Sequence, residues 1–170
     1  MENLIYFIIA SVIMIIFFLV DGISHQRFNK KINFLFHVIG IGVVLILSGI
    51  LIVREFVFSF LVLPGTIVFL AGLLIIKLSF DEIKNNFLRA KGVRRLGIYK
   101  RVRHPMYAGI ILSLIGVILI VPTLFVFIYC LIASSMIVWQ ASVEERYMIK
   151  RFGEKYLKYK RESGMFIPRR

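Results

Sequence analysis

The sequence predicts an all-α integral membrane protein with five transmembrane helices, its N-terminus outside and its C-terminus inside. Three observations predict it. The 170-residue chain is 59% hydrophobic with a mean hydropathy of +0.88, whereas soluble domains lie nearer half apolar and long apolar stretches mark membrane spans. Five such stretches occur, at about 4–20, 34–53, 56–78, 107–121 and 123–139. The basic residues follow the alternation that five spans impose. Segments 21–33, 77–106 and 140–170 carry 3, 9 and 9 Lys and Arg, and only Arg54 falls on the opposite side. Basic connections stay cytoplasmic, which orients the bundle. At this length the whole chain, 1–170, is expected to be one membrane domain.

The elements follow in order. Leu4 to Val20 is uncharged and long enough for a slightly short or tilted span. Glu2 stands where a secretory signal carries a basic region, and no small-residue cleavage site follows, so this stretch is expected to be a retained helix. Phe34 to Val53 is the second span, and Arg54-Glu55 a tight connection to the third, Phe56 to Leu78. Pro64-Gly65 inside that third span predicts a kink. From Lys77 to Arg103 the chain is polar. Phe80, Ile83, Phe87 and Leu88 recur there at helical spacing beside Lys84, Arg89 and Lys91, a pattern that predicts a helix on the membrane surface. Tyr107 to Val121 and Thr123 to Trp139 form a hairpin about Pro122. Fifteen helical residues rise only about 22 Å against a hydrocarbon core of about 30 Å. The polar ends of these short arms are therefore expected near the headgroups. Ser142 to Arg161 predicts a cytosolic amphipathic helix that Gly153 and Gly164 weaken or end.

A hairpin returns the chain to the side it left, so His104 and Glu144 should meet at one membrane face. Ionisable groups at the mouth of a membrane bundle are costly and mark a candidate functional site. In Arg103-His104-Pro105 the proline disfavours helix before it and suits the first turn after it. His104 is thus placed at the entry to the fourth span, where a helix N-terminus attracts an anionic group and Arg103 can pair with a carboxylate. Read alone, Arg103 is equally a topogenic charge and Tyr107 an interfacial aromatic. Glu144 and Glu145 are two of only nine acidic residues. They sit where a span emerges and have no topogenic role, and both fit a helix entering the bundle.

Other chemistries lack their signals. The net charge of +13 is accounted for by one-sided basic loops, which leaves no nucleic-acid partner to invoke. Cys130 is a lone cysteine in an apolar run, and His25, His37 and His104 are scattered, so no disulfide and no metal site is expected. No G-x-G-x-x-G follows a strand, and neither H-E-x-x-H nor G-x-S-x-G occurs.

The pattern G-I-Y-K-R-V-R-H-P-M-Y-A-G over 97–109, then E-E at 144–145, then F-G-E-K-Y-L-K-Y-K over 152–160 and F-I-P over 166–168 resembles the isoprenylcysteine carboxyl methyltransferase and phospholipid methyltransferase superfamily. The resemblance covers about 84–168. It implies an integral, multi-pass membrane enzyme, similar to protein-S-isoprenylcysteine O-methyltransferase, that moves a methyl group from S-adenosylmethionine to a lipid-like or prenylated acceptor. It implies a cytoplasm-facing cofactor site built from segments of about 91–109 and 140–168. Positions matching the family's cofactor site are Lys91, Gly92, Val93, Arg94, Tyr99, His104, Pro105, Met106, Tyr107 and Glu144. Arg103 or His104 would hold the methionine carboxylate, and Glu144 would meet the cofactor's ammonium or ribose hydroxyls. Tyr99 and Tyr107 would wall the pocket. Prenylcysteine-methylating members carry an arginine one turn before the glutamate. Gln140 stands there in this chain, and it can hydrogen-bond a substrate without forming a charged fork. A phospholipid amine and a small thiol therefore stay open as acceptors. An NADPH-dependent membrane reductase of the sterol-reductase type and a non-catalytic membrane scaffold are the competing readings.

Overall fold

The computed structural model describes residues 2–27, 46, 60–86 and 97–169. They form five helices: α1 (Glu2–Arg27), α2 (Val62–Asn86), α3 (Pro105–Ile120), α4 (Leu124–Phe152) and α5 (Glu154–Glu162). A 3₁₀ turn, Gly97–Lys100, precedes α3. No strand occurs among the described residues, where β pairing is limited to a single parallel bridge between Val102 and Gly164. The second predicted span (34–53) apart from Ile46, the Arg54-Glu55 connection, Phe87, Leu88 and the segment Lys91 to Arg94 lie outside the described residues.

Local chemistry sets the helix ends. Pro105 is the first residue of α3, where its missing N–H costs nothing, and His104 before it is non-helical (φ −124°, ψ 61°). Val121 and Pro122 end α3. Thr123 then caps α4, its hydroxyl accepting from Val126 N at 3.4 Å. Gly153 breaks the helical path with φ +52°, a conformation that L side chains resist, and α5 starts at the next residue.

Two helices are long and apolar enough to cross a membrane, over Val62–Ile83 and Leu124–Phe152, with shorter apolar stretches over Phe7–Phe17 and Pro105–Ile120. The described residues are all-helical, and apolar helices of this length suit a membrane protein. α2 and α3 run antiparallel with glycine at the seam. A Cβ on Gly116 would lie 2.5 Å from Phe69 N, and one on Gly72 would lie 2.6 Å from Gly109 O. In lipid, where apolar burial gives little drive for helix association, such close approach supplies the packing. Ser113 adds a hydroxyl bond to Phe69 O at 3.3 Å across the seam. α1 packs on α4 through Phe7 and Phe125, whose ring centroids are 5.5 Å apart, and it buries Ala10 and Met14. Val121, at the end of α3, and Val126, Tyr129, Ala133, Ile137 and Ala141 along α4 continue this core. The outward faces of α1 and α2 stay apolar and exposed, as at Ile9, Ile16, Ile67 and Leu74, which suits lipid.

Three expectations are corrected. Pro64-Gly65 does not kink a span. The helix begins at Val62, so Pro64 sits in the first turn, where N–H groups have no helical partner to lose. Lys77 to Asn86 is no separate surface helix but the continuation of α2. The second hairpin arm does not stop at Trp139. α4 runs unbroken to Phe152 because no glycine or proline interrupts it before Gly153. Its polar half therefore extends the membrane helix, and only α5 remains of the predicted terminal amphipathic helix.

Candidate active site

The site forms where the segment before α3 meets the polar half of α4. That segment is fastened by the chain's end. Arg103 N donates to Gly164 O at 2.9 Å, His104 N to Met165 O at 3.0 Å, and Gly164 N to Arg101 O at 3.0 Å. Tyr159, buried on α5, donates its hydroxyl to Tyr99 O. Ser163 Oγ closes α5 by donating to Tyr159 O at 2.6 Å. The backbone around His104 is thus held in an extended course by residues about 60 positions away.

Glu144 and Glu145 project about 100° apart on α4 and enter different surroundings. Glu145 is 4% exposed. Arg103 Nε donates to its Oε1 at 2.7 Å, and Lys160 Nζ lies 2.7 Å from its Oε2. Burial alone would raise its pKa. The nearby His104 imidazole, the Lys160 and Arg103 donors and the Arg103 charge overcome that and hold it at about 2. It lies beyond the apolar half of α4, in the helix's polar extension. Glu144 is more open. It accepts from the Tyr107 hydroxyl, and its Oε2 lies 3.7 Å from His104 Nδ1.

His104 sits between the two carboxylates, with Nε2 3.6 Å from Glu145 Oε1. Its ring stacks on Tyr107 with centroids 5.6 Å apart, and Phe166 tilts against it at 6.2 Å. Its side chain is 9% exposed, and the buried Nε2 makes no hydrogen bond among the described residues. A buried polar atom in that state calls for a partner.

The structure brings Arg103, His104, Tyr107 and Glu144 together. Pro105 is buried beneath them, and Met106 packs toward the bundle core. Tyr99 contributes its carbonyl to the Tyr159 anchor. Gln140, one turn before Glu144, is fully buried. Arg103 turns to Glu145 and to the carbonyls of Lys160 and Ser163. Sequence reasoning missed Lys160 and left open which glutamate faces the cluster. Phe166 lay within the quoted F-I-P motif without a role.

The phospholipid methyltransferase family model matches residues 38–155. The chain belongs to that family. A methanethiol S-methyltransferase from Pseudomonas sp. is 26% identical over 97 residues, which cover 56% of this chain and 36% of that relative. The methanethiol S-methyltransferase of Pseudomonas deceptionensis is 33% identical over 73 residues, covering 42% of this chain and 26% of the relative. The matched stretch is therefore about a third or less of each relative's length. No solved structure matches the chain. Membership agrees with the superfamily resemblance carried by the R-H-P and E-E segments.

Proposed function

We propose that the protein is an S-adenosylmethionine-dependent membrane methyltransferase whose cofactor lies against His104, Tyr107 and Glu144. The observation that carries this is the His104 imidazole held between two glutamates, with a buried nitrogen that has no hydrogen-bond partner among the described residues. Family membership supports methyl transfer over the reductase and scaffold readings. The residues suit the cofactor's chemistry. It carries an ammonium and a sulfonium, a carboxylate and ribose hydroxyls. Glu144 offers a partly open carboxylate to a cation or a hydroxyl. Tyr107 and Phe166 offer aromatic surface, which attracts cations. His104 Nε2 offers a buried polar contact. Of the two groups first considered for the methionine carboxylate, His104 is favoured, because Arg103 is engaged by Glu145 and two carbonyls. Tyr99 and the segment Lys91, Gly92, Val93 and Arg94 are assigned to the same cofactor site, with Pro105 and Met106 shaping its floor.

When bound, the cofactor supplies an electrophilic methyl group on a sulfonium. The chain's part is alignment and exclusion of water, since charge disperses on the way to the transition state. We assign a small thiol as the acceptor class. The names of the two Pseudomonas relatives support it, and so does neutral, fully buried Gln140 where a prenylcysteine carboxylate would need a charged fork. A thiol with a pKa of about 8.5 is already partly ionised near neutral pH. A phospholipid amine is the second reading, favoured by the family's description. We further assign five spans with N-out, C-in topology and a site facing the cytoplasm, supported by the basic loops. The test is methyl transfer from labelled S-adenosylmethionine to methanethiol or to phosphatidylethanolamine in vesicles. Labelled dimethyl sulfide that His104→Ala abolishes is the expected result. Labelled lipid alone would move the acceptor to the amine, and no product with either would refute both assignments.

A further inference from the structure

We infer that Lys160 is a positioning residue that acts through Glu145, so that the last helix sets the spacing of the cofactor site; this rests on the cofactor reading above. Glu145 is satisfied by cations from two separate segments. Arg103, from the chain before α3, takes Oε1, and Lys160, from α5, takes Oε2, each at 2.7 Å. Arg103 closes the figure by donating through Nη1 to Lys160 O at 3.1 Å and to Ser163 O. Three pieces of chain distant in sequence meet in one ring of charge and backbone contacts.

The ring touches the site by covalent neighbourhood. His104 follows Arg103, and Glu144 precedes Glu145. Fixing Arg103 against Glu145 therefore fixes the imidazole against the Glu144 carboxylate, one residue away on each side. Lys160 is 44% exposed, and an ion pair open to water ordinarily contributes little. Its partner changes that. Glu145 is buried, and a buried carboxylate that loses one of its cations must reorganise or take a proton. Either response loosens its grip on Arg103. Among the described residues, the groups that face Glu145 are Arg103 from the pre-α3 segment, His104 from the α3 cap and Lys160 from α5, with the buried Tyr156 of α5 close enough to feel its charge. Only Lys160 brings a cation to Glu145 from the last helix.

The test is S-adenosylhomocysteine affinity of the full chain in nanodiscs, by calorimetry. Lys160→Met is expected to weaken binding about tenfold. Lys160→Arg, which keeps a cation in reach, should stay within about threefold. Lys158→Met, an exposed neighbour on α5, should change nothing. On a Glu145→Gln background, Lys160→Met should cost no further affinity, because the two act as one unit. A measurement on unaltered protein stands beside these. Coupling is reciprocal, so S-adenosylhomocysteine should slow amide exchange across residues 154–164. Wild-type affinity in Lys160→Met, an equal loss on the Glu145→Gln background, or unchanged exchange in α5 would overturn the inference. Wild-type protein that binds no S-adenosylhomocysteine would instead overturn the cofactor reading on which it rests.

Discussion

The α2–α3 seam and the mouth of α4 are held together by opposite means. At the seam, Gly65, Gly72, Gly109 and Gly116 let two backbones touch, joined by the Ser113 hydroxyl bond to Phe69 O. At the mouth, Arg103, Glu145 and Lys160 join three chain segments through ion pairs, and the aromatic rings of Tyr107 and Phe166 flank His104. The difference follows the solvent. Lipid rewards shape and penalises charge, whereas the polar end of the bundle allows carboxylates provided that each is paired. Shape at the seam fixes where α3 stands, and charge at the mouth fixes what its first residues face.

The comparison breaks most sharply at Arg103. Both it and Glu145 are nearly buried, and removing one partner of such a pair costs about 3–5 kcal/mol. Arg103→Met is expected to lose that much in denaturant unfolding, whereas a loss under 1 kcal/mol would show that the pair is dispensable. Acid attacks the same bond. Glu145 is held at about 2 against an ordinary value of 4.5, so its folded-state pKa lies below the unfolded one. Its contribution is present above about pH 4.5 and fades as the pH falls toward 2. Unfolding temperature should drop through that window in the wild type, and Glu145→Gln should remove this part of the slope. At the seam, Gly116→Val drives a side chain into the Phe69 backbone and is expected to cost about 1–3 kcal/mol by overpacking. Unlike the acid effect, this loss should be the same at pH 4 and pH 7. The smallest effect is at Thr123, whose cap bond of 3.4 Å is long. Thr123→Ala should cost about 0.5 kcal/mol, the low end for caps, without altering cofactor affinity.

The helices that form the seam and part of the mouth were legible in the sequence, but the glycine contacts that join α2 to α3 were not. Apolar length marked the helices, and the hairpin about Pro122 brought His104 toward Glu144. Helix limits were less legible. Apolarity ends at Trp139, but α4 continues, because hydrogen bonding persists wherever no breaker intervenes. Pro64 announced a kink because its position in a turn depends on where the helix begins. The roles of Glu144 and Glu145 could not be separated, since adjacent residues differ only in what the rest of the fold brings to each face. Lys160 was one of several basic residues on α5. Its partner lies 15 positions back on another helix, and no local spacing rule announces that pairing.

The most direct test of the central claim is calorimetric titration of the purified protein with S-adenosylhomocysteine, using NADPH as the control ligand. Saturable binding of the former, weakened at least about tenfold by Glu144→Gln and lost in His104→Ala, is what the site geometry predicts. Affinity unchanged by both substitutions, or binding of NADPH alone, would contradict it.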